Sequence, residues 1–321
     1  MTKFILSCFL ILLMAGCHEV PVWMAQKVSV EFDYENSSGN NPSVSDPFNM
    51  SPALSIGHQT AITSGNTVQI LLHDVRVQTA LNNFEIKDGG IKIREKEGNK
   101  WKEQSEFDLA ASSRKTDAVA VIVIDMSESI GDKIEEVKSY AKTLAADILN
   151  STTNSHVGVV LFSENVQSMQ FAGLSELDAI EDFIDSYTTY SNRTTLYGAV
   201  NAGLTMLENT GLVGAKSLIA FTDGGDNNTD HPETALSNIT TSEVIRFAIG
   251  VKGNDFDQRV LENIASKNAN CAVASNYDDL QKVFKEIAQQ VTSVYQITYV
   301  RSNQILDNPI QIEFEFSVDK I

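Results

Sequence analysis

From Asp117 to Val294 the chain alternates short aliphatic runs with amphipathic stretches of helical period, which constrains the fold more than any other feature. DAVAVIVID (117–125) and HVGVVLFS (156–163) are near-continuous apolar runs, as in strands covered on both faces. KSLIAFTD, VIRFAIGV and CAVAS repeat the pattern further on. Between them, KIEEVKSYAKTLAADILN, SELDAIEDFIDSY, TLYGAVNAGLTMLEN, DQRVLENIASKNA and YDDLQKVFKEIAQQVTSV place apolar residues at helical spacing. Ser175 and Asp178 look like a capping pair opening the second of these helices. VQSMQF reads as a short edge strand. Strands and helices alternating at this length predict an α/β fold: a doubly wound, mostly parallel sheet with helices on both faces.

The flanks have a different texture. VSVEFDY, TVQILLHDVRV and GIKIREK read as strands, and NSSGNNPSVSDPFNMSP as a loop. ALNNFEIKDGG has strand–turn character. YQITYV and the strictly alternating IQIEFEFSV close the chain, and two strands cannot stand alone. The expected organisation is an export signal at 1–16, an additional small, sandwich-like β-domain at 17–115, the α/β domain at 116–293, and a strand tail at 294–321 that packs on the β-domain.

The amino terminus, MTKFILSCFLILLMAGC, carries Lys3, an apolar run too short for the ~20 residues that span a bilayer, and small residues before Cys17. Its ending resembles the bacterial lipobox, with Met14 where Leu is usual. The resemblance implies lipidation of Cys17, a membrane anchor through that residue, and a place in the bacterial cell envelope. His18 in place of an acidic residue implies the outer membrane. Cleavage would leave Cys17 and Cys271, so no intramolecular disulfide is expected. Cys271 reads as a buried small hydrophobe.

Lys and Arg number 24 against 42 Asp and Glu, a formal charge of −18. A nucleic-acid partner needs a basic stripe, so none is expected.

Ligands of such a sheet sit outside the carboxyl ends of its strands, where the strand order reverses. The first aliphatic strand ends at Asp125-Met126-Ser127-Glu128-Ser129, whose alternate positions aim three oxygen groups into one pocket. Asp223, followed by two glycines, ends KSLIAFTD, and Ser191-Asn192-Arg193-Thr194-Thr195 stands just before a helix. Two carboxylates and three hydroxyls make a hard, all-oxygen site without imidazole or thiolate to favour zinc or copper. Mg²⁺ suits such donors, with Mn²⁺ or Ca²⁺ as alternatives. A first shell this poor in charge leaves the ion seeking an anionic ligand, for which a carboxylate from another molecule is the natural candidate.

The stretch from about 117 to 292 resembles the von Willebrand factor A domain, the integrin I-domain type of fold, with its metal-ion-dependent adhesion site. Asp125, Ser127 and Ser129 match that site's D-x-S-x-S loop. Thr194, in RTTLYGAV, matches its threonine, and Asp223 in FTDGGDN its second aspartate. Asn192-Arg193 stand where relatives often carry glycines, which leaves Thr195 as an alternative to the preferred Thr194. Arg193 beside a cation would weaken metal binding or contact an acidic partner directly. The resemblance implies adhesion or protein–protein binding rather than catalysis, with a partner presenting Asp or Glu. A structural or assembly scaffold of the envelope, with incidental metal binding, is the alternative.

Other signals are weaker. A haloacid-dehalogenase-type enzyme would need a second carboxylate at position 127, where Ser127 stands. GLVGAKS lacks the glycine before Lys216 that a phosphate loop needs. Asp226–Asp230 spaces oxygens like a Ca²⁺ loop but has His231 in the glycine place, and reads as a solvated loop. The five histidines form no zinc-hydrolase pattern.

Overall fold

The computed structural model describes residues 26–32, 54–64, 67–78, 83–97, 99–103, 109–253, 256–267, 270–300 and 310–320; the expected export signal, Cys17 and the expected loop at 36–52 lie outside them. Two sheets organise these residues.

The first sheet is antiparallel and has eight strands: β1 (Gln26–Phe32), β2 (Leu54–Ser64), β3 (Thr67–Gln78), β4 (Asn83–Glu97), β5 (Lys100–Lys102), β6 (Leu109–Lys115), β13 (Tyr295–Val300) and β14 (Ile310–Lys320). The two strands that follow the α/β segment join it: β13 lies between β3 and β6, and β14 between β1 and β4. Alternate residues Val68, Ile70 and Leu72 of β3, Ile91 and Ile93 of β4, Ile297 and Tyr299 of β13, and Ile312 and Phe314 of β14 are buried together. The Tyr299 hydroxyl bonds Glu95 Oε1, although β13 and β4 are not paired strands, so the two strands face each other across this core.

Several elements differ from the sequence expectation. The sequence reading missed strands β2 and β5 and a helix at Pro232–Thr241, and β4 and β6 also depart from it. Gly89 and Gly90 do not end a strand. β4 runs through them, with Ile86 opposite Val318 and Ile91 opposite Phe316, so the extra residues form a bulge. A glycine pair allows such a bend without breaking the ladder. β6 (LAASSRK) has too little hydrophobic alternation to be read as a strand, and pairing with β13 specifies it.

The second sheet has the order β12-β11-β10-β7-β8-β9. Its strands are β7 (Ala118–Asp125), β8 (His156–Phe162), β9 (Val166–Ala172), β10 (Ala215–Thr222), β11 (Ile245–Val251) and β12 (Cys271–Ala274). All pairings are parallel except β8–β9, which leaves β9 as an antiparallel edge. Every residue of β7 is buried, as a central strand with helices on both faces requires.

Two apolar cores flank this sheet. One lies under α1 (Ile134–Leu149), α2 (Leu177–Asp185) and α6 (Tyr277–Thr292). The other lies under α3 (Leu196–Asn209), α4 (Pro232–Thr241) and α5 (Gln258–Ile264). α3 sits close against the strands: a Cβ on Gly203 would come within 2.9 Å of Leu218 Cδ1 and 3.1 Å of both Val121 and Val123. A 3-10 turn at Leu174–Glu176 precedes α2, so the exposed donor is Gly173 N, which bonds Glu176 Oε2 at 3.2 Å. That contact replaces the expected Ser175–Asp178 pair.

The chain enters and leaves the α/β unit side by side. Lys115, the last residue of β6, pairs with Tyr295, the first of β13, and Thr116 N donates to Val294 O at 2.7 Å. The α/β unit is thus inserted between two neighbouring strands of the first sheet.

Candidate metal site at the crest of the second sheet

β7 and β10 are neighbours, and the chain departs from them toward opposite edges, so the strand order reverses there. Their carboxyl ends carry Asp125 and Asp223.

Asp125 is fully buried. Its Oδ1 accepts from Ser127 N at 2.9 Å, a short turn that swings the chain over the strand end. Its Oδ2 accepts from Thr222 Oγ1 at 2.7 Å. Burial raises its pKa to about 6, as does the nearby Asp223, against the opposing effect of the bonds from Ser127 and Thr222.

Ser127 and Ser129 turn their hydroxyls the same way, 2.9 Å apart. Ser129 Oγ donates to Asp223 Oδ1 at 2.8 Å. A 3-10 turn (Glu128–Lys133) follows Ser127, and neither it nor α1 is capped by a serine side chain, so the two hydroxyls are not spent on a helix end. Between them Met126 is buried in the core and Glu128 is exposed. Asp223 Oδ2 accepts from the hydroxyl of Tyr277, the first residue of α6, at 3.1 Å. Burial pushes the Tyr277 hydroxyl well above the usual tyrosine range, as does the neighbouring Asp223.

Thr194 is 7% exposed, and its hydroxyl bonds none of the described residues. Its backbone is pinned on both sides: its N–H donates to Asn227 Oδ1 at 2.7 Å, and its carbonyl accepts from Asn227 N at 3.0 Å and Asn228 N at 3.2 Å. Glu128 N donates to Ser191 O at 2.9 Å, tying the same loop to the serine loop. The adjacent Thr195 is engaged instead: its hydroxyl donates to Glu164 O at 2.8 Å and accepts from Asn228 Nδ2 at 2.8 Å. The structure therefore joins Asp125, Ser127, Ser129 and Asp223 through a continuous set of bonds, and holds Thr194 against Asn227 and Asn228 through its backbone, while Ser191 ties the same loop to the serine loop.

The sequence reading missed Thr222, Tyr277 and Asn227. A threonine ending an otherwise apolar strand was a signal for Thr222; nothing local marks Tyr277. Asp226 proves structural. Its Oδ2 accepts from Tyr197 N at 2.8 Å and its Oδ1 from Thr229 N at 3.1 Å, while Thr229 Oγ1 accepts from Gly198 N at 3.0 Å. Thr195, at the N-cap of α3, makes no side-chain cap, so the Asp226 loop caps that helix from outside. The Asp226 oxygens of that Ca²⁺-like spacing are spent there. Cys271 is half-buried rather than buried as expected, and burial raises its thiol pKa, which disfavours the thiolate.

Among the described residues no three His, Cys, Asp or Glu side chains cluster as a metal cage. A hydroxyl-rich set with two carboxylates is a different design, and its all-oxygen donors suit a hard cation. The Ser127–Ser129 and Ser129–Asp223 oxygens stand 2.9 and 2.8 Å apart.

The von Willebrand factor type A domain model matches residues 120–289, which hold all of the second sheet but the first two residues of β7. The chain belongs to the von Willebrand factor A family. Several solved structures are similar. Proximal thread matrix protein 1 from the mussel byssus, solved with a zinc-occupied MIDAS motif, is 23% identical over 60% of this chain and 50% of its own, with a TM-score of 0.48. The vWF domain of the type V pili tip protein Mfa5 from Porphyromonas gingivalis is 11% identical over 56% of this chain and 96% of its own, also at 0.48. The pilus adhesin SpaC from Lactobacillus rhamnosus GG is 13% identical over 90% of this chain and 45% of its own, again at 0.48. The chain spans about half the length of the mussel proteins. No curated protein sequence matches it.

Proposed function

We propose that this protein binds a protein partner at the crest of its von Willebrand A domain, by capturing an Asp or Glu side chain on a divalent cation. Asp125, Ser127, Ser129, Thr194 and Asp223 would hold the cation. The observation that carries this reading is the convergence of the Ser127, Ser129 and Asp223 oxygens, linked within hydrogen-bond distance, with the buried Asp125 bonded to the same loop. The Thr194 hydroxyl, which bonds none of the described residues, is in keeping with the same reading. A bound Mg²⁺ would offer an open coordination position to an incoming carboxylate. Asp125 and Asp223 supply the negative charge that retains it, and the hydroxyls add donors without cancelling its charge.

We read the site as one for binding without turnover. The export signal and Cys17 place the molecule, on this proposal, as a lipid-anchored protein of the bacterial cell envelope, probed by metabolic labelling with a clickable fatty acid. The pilus-related proteins among the similar structures are in keeping with an adhesive role.

Calorimetric titration with Mg²⁺ and Mn²⁺ tests the central claim. The wild-type protein should bind one ion, and Ser129→Ala or Asp223→Asn should weaken binding at least about tenfold. Equal binding by wild type and both variants would leave the scaffold reading in its place.

A further inference from the structure

Arg193 stands one residue from Thr194, and its guanidinium is placed rather than free to roam. Nη1 donates to Glu164 Oε1 at 3.1 Å and reaches Asn228 Oδ1 at 3.5 Å. Its backbone N–H bonds Ser191 Oγ at 3.2 Å, and that hydroxyl reaches Glu164 Oε2 at 3.4 Å. Glu164 is fixed in turn, because its carbonyl accepts from Thr195 Oγ1 at 2.8 Å and Asn228 Nδ2 at 3.2 Å. The same Asn228 donates its backbone N–H to Thr194 O at 3.2 Å. Arg193 and its carboxylate therefore belong to the loop assembly that fixes Thr194.

A guanidinium carries five N–H donors in a planar fork that suits a carboxylate. Here the Nε and Nη2 hydrogens bond none of the described residues, and the side chain is 60% exposed. An exposed ion pair contributes little to stability, so the pair has no evident structural necessity. The setting makes the cation informative. The chain carries a net charge of −18, and the crest holds two further carboxylates, Asp125 and Asp223. An acidic partner approaching that surface is repelled until it meets a local positive group.

We infer that Arg193 is a second anchor, selecting partner segments that carry two carboxylates: one for the cation site and one for the unspent edge of the guanidinium. The inference rests on the proposed function, since the first carboxylate needs the metal. Glu164 holds the fork in place and competes for it.

Acetate and a series of linear dicarboxylates from malonate to pimelate are minimal probes. Each is titrated into the full protein with Mg²⁺ and with chelator, following the Arg193 Nε–H resonance and the binding isotherm. One chain length should bind roughly three- to tenfold more tightly than acetate and shift that resonance. In Arg193→Ala the ratio of dicarboxylate to acetate affinity should fall to about one, and in Glu164→Gln it should rise. Mg²⁺-dependent binding of acetate with no gain from any dicarboxylate, or a ratio that survives Arg193→Ala, overturns this inference alone. The absence of Mg²⁺-dependent binding by every probe overturns the proposed function with it.

Discussion

Thr222 Oγ1 donates to Asp125 Oδ2 at 2.7 Å, a bond between the last residues of two neighbouring parallel strands. It stands where the sheet changes direction, beneath the serine loop, and it stabilises the ionised form of a carboxylate that burial would otherwise keep protonated. Thr222→Val keeps the shape and removes the bond. Stability should fall by about 1–3 kcal/mol, since an acceptor is left buried without its donor. Asp125 should become harder to ionise, and Mg²⁺ affinity should drop. Urea unfolding and calorimetric titration measure the two effects.

The raised pKa of Asp125, about 6, sets a pH dependence. The folded value lies above that of an unfolded aspartate, so the contribution to metal-free stability is complete below about pH 4. It is lost as pH rises through about 6. Thermal melts in chelator should show stability falling across that window, and Asp125→Asn should flatten the slope. Cation binding competes with the proton, so Mg²⁺ affinity should rise up to about pH 6 and then level off.

Thr194 and Thr195 should separate cleanly. Thr194 has an unspent hydroxyl, whereas that of Thr195 bonds Glu164 O and Asn228 Nδ2. Thr194→Val should cost Mg²⁺ affinity with little change in unfolding free energy. Thr195→Val should cost stability first, about 1 kcal/mol for the lost bonds. Paired titrations and urea curves on the two variants would show the reverse order if Thr195 were the ligand.

Asp226 caps α3 through Tyr197 N and Thr229. Asp226→Ala should lower stability by about 0.5–2 kcal/mol. It should also loosen Thr194, whose backbone is held by the neighbouring Asn227 and Asn228. Ca²⁺ titrations should show no second binding event attributable to this loop in the wild-type protein.

A Cβ on Gly203 would crowd Leu218, Val121 and Val123, so these side chains or α3 must shift to admit it. Gly203→Ala should overpack that face and cost about 1–3 kcal/mol. Chemical denaturation provides the measurement, and a stability within error of wild type would contradict the packing described for that face.

What the amino-acid order determined by itself was the α/β architecture and the chemical character of its crest. Both depend on local patterning. β7 is apolar at every position but its last, because both of its faces are covered, and α3 and α6 repeat their buried residues at helical spacing. The Asp-x-Ser-x-Ser spacing at a strand end was readable for the same reason. What only the tertiary structure decided depends on partners distant in sequence. Tyr277 meets Asp223 across 54 positions, and Thr222 meets Asp125 across 97. The difference between Thr194 and Thr195 is set by Glu164 and Asn228, and the duty of Asp226 by a helix that begins thirty residues before it. β6 became a strand because β13 returned beside it. Periodicity tells which side of an element is buried; which hydroxyl remains unspent depends on what the rest of the chain brings against it.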